Sequence, residues 1–180
     1  MSSWTMGLEP FETIVDAHHG EIYRYLLRMT ARPSDADDLA QETFLRAYRA
    51  YRTLTPDANV RAWLFAIATN LARNHFRAER RRRAAHAGLH RAARAVDGAA
   101  PDGEALADEA RARLDALVAA LPLRQRAAFV LRKVHDLDYD TIGRSLGCSA
   151  ETARAHVFQA VRKLRRGLAG LERPSQEPAP

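Results

Sequence analysis

Apolar residues recur three and four positions apart through most of the chain, and no stretch alternates strictly as a half-buried strand would, so the pattern predicts helices throughout. A first helix runs from about Pro10, suited to a first-turn position, to Met29, with Phe11, Ile14, Val15, Ile22, Tyr25, Leu26 and Met29 as its buried stripe. Arg32-Pro33 ends it. Ser34 opens the second helix as a capping-box residue with Asp37 three positions on, and Asp35, Asp37 and Asp38 set negative charge on the positive end of the helix dipole. Ala36, Ala40, Phe44, Ala47 and Tyr51 share its packed face, leaving Gln41, Glu42, Arg46 and Arg49 to solvent or a partner. After a turn at Thr55-Pro56-Asp57, Asn59 caps a third helix in which Val60, Leu64, Ile67 and Leu71 repeat at helical spacing. Three such helices make one small bundle.

Ala84 to Gly103 is rich in Ala and Gly with few large apolar residues, which reads as a linker, although its Ala and Arg residues suit a turn or two more of helix. From Glu104 the period returns. Ala105, Leu106, Ala110, Leu114, Leu117, Val118 and Leu121 stripe a helix stopped near Pro122, and another helix follows from Leu123 to Val134. Tyr139 to Leu146 is a short helix, Leu146-Gly147-Cys148-Ser149 a tight turn with Ser149 as the next N-cap, and a last helix runs to about Leu168, which is the helix-turn-helix pattern. Gly143 inside the short helix is expected to loosen it by about 1 kcal/mol. The expected architecture is all-α: two small helical domains, residues 1–83 and 104–170, joined by a flexible linker over 84–103 and followed by a Pro-rich disordered tail over 171–180.

Composition narrows the function. The 180 residues are 47% hydrophobic, enough for a buried core, and 28 Lys+Arg against 22 Asp+Glu give +6, which favours a polyanionic partner such as nucleic acid or an anionic membrane surface. A single cysteine, Cys148, excludes an internal disulfide framework and an all-Cys zinc site and fits a reducing, cytoplasmic setting. No leader pattern opens the chain and no run approaches the roughly 18 apolar residues of a membrane span, so a soluble, unexported protein is expected.

Two basic constellations stand out. On the last helix Ala153, Val157, Val161, Leu164 and Leu168 form a packed face, and Arg154, Phe158, Arg162 and Arg165 form the other. A recognition helix needs that division, one face anchored and the other in the major groove; a solvated basic helix is the plainer alternative. The second runs from Arg73 to Arg83, where Arg73, Arg77 and Arg80 to Arg83 follow Trp63, Phe65, Asn70, Asn74, His75 and Phe76. Rings that stack on bases and amides that read their edges suit single-stranded or opened nucleic acid, while Trp63 equally suits the bundle core. The acidic face of the second helix fits capping as well as partner binding. No phosphate-cradling loop, zinc-protease motif or Gly-flanked serine nucleophile is present, and His18-His19 with Glu21 has the wrong spacing for a metal on one helical face, so neither an enzyme nor a cofactor, metal or small-molecule substrate is expected.

Asp35-Ala36-Asp37-Asp38-Leu39-Ala40-Gln41-Glu42-Thr43-Phe44-Leu45-Arg46-Ala47-Tyr48 closely resembles region 2 of the extracytoplasmic-function (ECF) sigma factors, the smallest bacterial sigma factors of the sigma-70 family. Val60-Arg61-Ala62-Trp63-Leu64-Phe65-Ala66-Ile67-Ala68-Thr69-Asn70-Leu71 looks like that family's −10 region, and the helix-turn-helix from Leu121 to Leu168 looks like its region 4. The resemblance implies a transcription initiation factor that binds core RNA polymerase and directs it to promoters. By the same resemblance Asp35, Asp38, Leu39, Gln41, Glu42 and Phe44 meet the clamp helices of the polymerase β′ subunit, with region 4 at the β flap. The loop from Tyr51 to Asn59 holds a flipped −10 base, and Asn59, Arg61, Trp63, Asn70, Arg73, Asn74 and Arg77 serve −10 DNA. Ser149, Glu151, Thr152, Arg154, Ala155, Phe158 and Arg162 serve the −35 element, the linker acids Asp97, Asp102 and Glu104 resemble the family's acidic connector, and an anti-sigma partner is implied. Where the family usually has Gly-Thr-Val, then Lys or Arg, Ser and Arg, this chain has Glu151, Thr152, Ala153, Arg154, Ala155 and His156, and Gln159 replaces a common basic residue. The rival expectation is a helix-turn-helix regulator that acts without polymerase, which leaves the first bundle unexplained.

Overall fold

The computed structural model describes residues 9–55, 57–86 and 105–171. Every regular element among them is helical: α1 (Phe11–Thr30), α2 (Pro33–Ala50), a 3-10 turn over Tyr51–Thr53, α3 (Val60–His86), α4 (Ala105–Ala119), α5 (Leu123–Lys133), α6 (Tyr139–Leu146) and α7 (Ala150–Leu171). The all-α expectation holds. The acids Asp97, Asp102 and Glu104 and the expected disordered tail lie outside the described residues, apart from Leu171 of that tail, which ends α7.

The joint between α1 and α2 differs from expectation in its cap. Arg32, which precedes a proline and so is driven to extended backbone (φ −136°, ψ 118°), takes the N-cap position, Pro33 opens the helix, and Ser34 falls inside the first turn with no capping hydrogen bond. Ala31 closes α1 in the left-handed conformation (φ 57°), its N–H donating to Leu27 O at 2.8 Å. Asn59 does cap α3, its Oδ1 accepting from Ala62 N at 2.9 Å. The third helix continues three residues past the expected start of the linker, to His86, as its Ala and Arg content allows.

The first bundle buries Ile22, Tyr25, Leu26, Met29, Leu64 and Phe65 completely or nearly so, with Tyr25 Oη hydrogen-bonded to Thr69 Oγ1 at 2.8 Å. Each such side chain contributes about 1.5–3 kcal/mol of hydrophobic stabilisation. Phe11 and Val15 of the expected stripe are half-buried at its margin. In the second unit Val130, Leu131, Ile142, Leu146, Ala153, Val157, Ala160 and Leu164 form the core. Leu114 and Leu168, expected inside, are 40% and 41% exposed, and Ala110 of the same expected stripe is exposed too, so α4 buries only its last turns, around Leu117, Val118 and Leu121. The two units do not stand apart: α3 packs on α6, α1 packs on α4 and α5, and the buried residues of both form one continuous cluster.

Gly143 has a use the sequence does not announce. A Cβ there would lie 2.7 Å from Cys148 O and 3.1 Å from both Ala150 N and Ser149 C, all backbone of the helix-turn-helix turn. The glycine therefore lets the turn fold against α6, and the expected loosening is outweighed by this close approach. Cys148 N donates to Gly143 O at 2.9 Å across it, and Gly147 supplies the left-handed residue (φ 65°).

Candidate nucleic-acid interface

Ser149 orients the start of α7, its Oγ accepting from Thr152 N at 3.2 Å and lying 2.9 Å from Thr152 Oγ1. With Ala153, Val157, Ala160 and Leu164 buried against α5 and α6, the opposite face presents Glu151, Thr152, Arg154, Ala155, Phe158 and Arg162 to solvent. Phe158 is 66% exposed, an aromatic ring with no apolar cover from the described residues. The Arg154 guanidinium stacks over Tyr139 at 5.0 Å, and Arg132 stacks on the same ring at 5.1 Å. Tyr139 thus holds two cations beside the exposed face of α7, and Lys133, Arg165 and Arg166 border the same hollow. Tyr139 and Lys133 escaped sequence reasoning because they sit on α6 and α5 and reach the face only in the fold. Gln159 accepts a hydrogen bond from Gln125 at 2.6 Å and braces α7 on α5, while burial, reinforced by nearby Arg124, lowers the His156 pKa and favours its neutral form.

The second face lies on α3. Asn70, Arg73, Asn74 and Arg77 fall at i, i+3, i+4 and i+7, one strip of the helix, with Asn70 Oδ1 accepting from Arg73 Nη1 at 3.4 Å. Farther along, Arg77, Arg80 and Arg83 face Arg124 and Arg126 of α5 across a hollow of about 510 Å³ floored by Phe76 and Leu123. Three expected −10 residues have other engagements here. Asn59 spends its side-chain oxygen on the α3 cap, Trp63 packs half-buried against the core, and Arg61 pairs with Glu21.

On α2 the expected docking set divides. Asp38 and Gln41 are exposed, and Glu42 is paired with Arg46 at 2.7 Å. Leu39 and Phe44, by contrast, are 9% and 8% exposed and belong to the bundle core, Phe44 stacked with His19 at 5.7 Å between centroids. Asp35 is drawn into contacts with Arg32 (3.7 Å) and His75 (3.5 Å). The outward strip is completed by Leu45 and Tyr48, 46% and 61% exposed, which the sequence reading left out. They continue the i, i+3, i+4, i+7 row from Asp38, and that spacing was the available signal.

Half-buried Glu21 and buried His135 form a polar pair, His135 Nδ1 lying 3.2 Å from Glu21 Oε1. Burial alone would raise the Glu21 pKa, but hydrogen bonds from Arg61 and His135 and their positive charge bring it below the usual carboxylate value. Burial lowers the pKa of His135 and outweighs the opposing pull of Glu21. Among the described residues no group of three His, Cys, Asp or Glu side chains could hold a metal ion, and no helix is long and apolar enough to cross a membrane.

Comparison with known proteins gives these faces a family. Residues 14–82 match Sigma-70 region 2 and residues 111–164 match Sigma-70 region 4. The RNA polymerase sigma-H factor of Pseudomonas aeruginosa is 31% identical over 170 residues, which cover 91% of this chain and 88% of that protein. The ECF RNA polymerase sigma factor SigW of Bacillus subtilis is 28% identical, with 91% of each chain covered. In fold, the sigma factor RpoE of Bartonella quintana, solved in complex with the anti-sigma factor NepR, superposes with a TM-score of 0.72 at 21% identity, covering 91% of this chain and 98% of that one. With region 2 on α1–α3 and region 4 on α4–α7, the chain belongs to the ECF branch of the sigma-70 family, the initiation factors that direct RNA polymerase to promoters.

Proposed function

We propose that the chain serves initiation through three separate faces, each with its own partner. The α2 strip of Asp38, Gln41, Glu42, Leu45 and Tyr48 docks on the β′ clamp helices of core polymerase, its acids supplying charge and its two exposed apolar side chains the contact area. Leu39 and Phe44 support that strip from beneath. Asn70, Arg73, Asn74 and Arg77, with the loop of residues 51–59, meet the opened −10 strand, where guanidiniums neutralise phosphates and amides reach base edges. Arg154, Phe158 and Arg162 enter the major groove at −35, aided by Tyr139 and Lys133, with Ser149 and Thr152 near phosphates. Glu151 favours a cytosine, whose amine it can accept from, over any base that offers only acceptors. The chemistry of RNA synthesis belongs to the polymerase, and a protein of the anti-sigma kind is the expected regulator.

The observation that carries this reading is the division of α7: one face fully buried on a helix-turn-helix, the other bearing exposed arginines around a bare phenylalanine. The test is gel filtration with bacterial core RNA polymerase, using the Asp38→Ala, Glu42→Ala double variant as comparison. The wild-type chain co-elutes with polymerase and the variant does not. Failure of the wild-type chain to co-elute, together with tight duplex DNA binding by the free protein, would establish the regulator that works without polymerase.

A further inference from the structure

The arginine run at the end of α3 continues past the strip given to the −10 strand, and Arg80 and Arg83 turn toward α5 instead. With Arg77 they face Arg124 and Arg126 across the hollow of about 510 Å³, and the only acid lining it is Glu79. That carboxylate is already shared between Arg83 and, at 3.4 Å, Arg32. Arg77, Arg80 and Arg124 have no carboxylate partner among the described residues. Cations brought together from two helices repel one another, and an anion seated between them removes that cost.

The opening of α5 adds to the same field. Pro122 stands at its N-cap without a side-chain acceptor for the first N–H groups, and the first turn holds no acid but Arg124. A cation there opposes the helix dipole, whereas an anion beside it is stabilised. Leu123 and Arg124 of that turn both line the hollow.

The form of the array narrows the anion. Guanidinium forks match phosphate oxygens two at a time and suit phosphate better than a compact ammonium would. Arg77, Arg80 and Arg83 are spread over about 9 Å of helix axis, too long for a single phosphate and matched by a short chain of them. Arg126 is committed elsewhere, donating to Met29 O and to Leu121 O at 3.3 Å with its guanidinium 5.6 Å over the Phe76 ring, so it supplies fixed charge and holds the floor in place. The volume is that of a small-molecule site and excludes a duplex. Leu123 and the edge of Phe76 leave an apolar floor beside the charges.

We propose that the hollow between α3 and α5 binds a small ligand carrying a chain of condensed phosphates, with Arg77, Arg80 and Arg124 holding the phosphate oxygens and Arg83 and Arg126 adding charge. A bound ligand occupies Arg77 and should therefore compete with the −10 strand. That consequence rests on the function proposed above; the binding itself does not.

The test is isothermal titration calorimetry of the full chain with sodium tripolyphosphate and, separately, with adenosine triphosphate, at constant ionic strength. The parent should bind at least one of them saturably, and orthophosphate more weakly. Arg80→Ala, Arg124→Ala, at two exposed positions where folding is preserved, should weaken binding about tenfold or more. Arg165→Ala, Arg166→Ala removes the same charge from the exposed side of α7 and should change binding by less than about twofold. Tighter binding of adenosine triphosphate than of tripolyphosphate would assign the apolar floor to a nucleoside, and equal affinities would assign the site to inorganic condensed phosphate. Equal losses in the two double variants would reduce the effect to net charge and overturn the proposal, as would no saturable binding of either probe below about 1 mM. If neither probe binds while Arg80→Ala, Arg124→Ala weakens a single-stranded oligonucleotide, the hollow belongs to DNA and the proposal is equally overturned. A chain that binds the probes as expected but does not co-elute with polymerase would refute the assigned function and leave this site standing.

Discussion

Adding one methyl group at each of two helical glycines should give opposite results. Glycine to alanine inside a helix gains about 1 kcal/mol when nothing obstructs the new Cβ. At Gly143 that carbon would sit 2.7 Å from Cys148 O and 3.1 Å from Ala150 N, atoms of the turn backbone that cannot move without shifting the whole turn. Overpacking of this kind costs about 1–3 kcal/mol, so Gly143→Ala should be net destabilising by about 1 kcal/mol. At Gly167 the near atoms, at 2.6, 3.2 and 3.5 Å, all belong to the Leu117 side chain, which can rotate away. Gly167→Ala should therefore be neutral or stabilising by up to about 1 kcal/mol. Urea unfolding followed by far-UV circular dichroism measures both, reading midpoint shifts at unchanged slope. Because the Gly143 turn positions Ser149 and the start of α7, Gly143→Ala should also weaken −35 binding and Gly167→Ala should not. A Gly143→Ala protein more stable than the parent would refute the close-approach argument.

Phe158→Ala should leave stability within about 0.5 kcal/mol, as for an exposed residue, yet cost about 1–3 kcal/mol of −35 affinity if the bare ring meets a thymine methyl; footprinting of the holoenzyme checks both the loss and its position. The Glu21–His135 contact between the two units should weaken in acid. The folded-state pKa values of both His135 and Glu21 lie below their unfolded ones, so their contributions are present above the unfolded values and are lost as pH falls through the folded ones, His135 first, below about 6.5. The groups facing this pair are Arg61, Arg28 and His18, all cationic when His18 is protonated, and none reverses the sign. The melting temperature of the parent should drop more between pH about 7 and about 5 than that of His135→Ala, and equal slopes would contradict the assignment.

Local signals in the chain carried the helices well, since cap, period and breaker residues act within a few positions. The Ser34 cap was misjudged because Pro33 forces Arg32 extended and moves the helix start two residues earlier, the N-cap falling at Arg32 instead of Ser34. Leu39 and Phe44 entered the docking set through family resemblance, although three- and four-residue spacing from Ala36 and Ala40 already places them on the buried face. Gly143 looked costly because helix propensity is local, whereas the backbone it admits arrives from the following turn. Least legible was the junction between units. Glu21 and His135 are 114 positions apart, and neither residue's neighbours hint at the other. Tyr139 as a plate for Arg132 and Arg154 is likewise a product of tertiary packing.

The central claim, that this chain confers promoter choice on polymerase through two DNA-reading units, is tested most directly by transcription in vitro from a pool of genomic fragments with bacterial core RNA polymerase, mapping the transcript 5′ ends. Core polymerase with the chain should give discrete start sites preceded by shared −35 and −10 sequences, and Arg154→Ala should relax the −35 preference alone. Scattered starts identical to those of core polymerase without the chain would contradict the account.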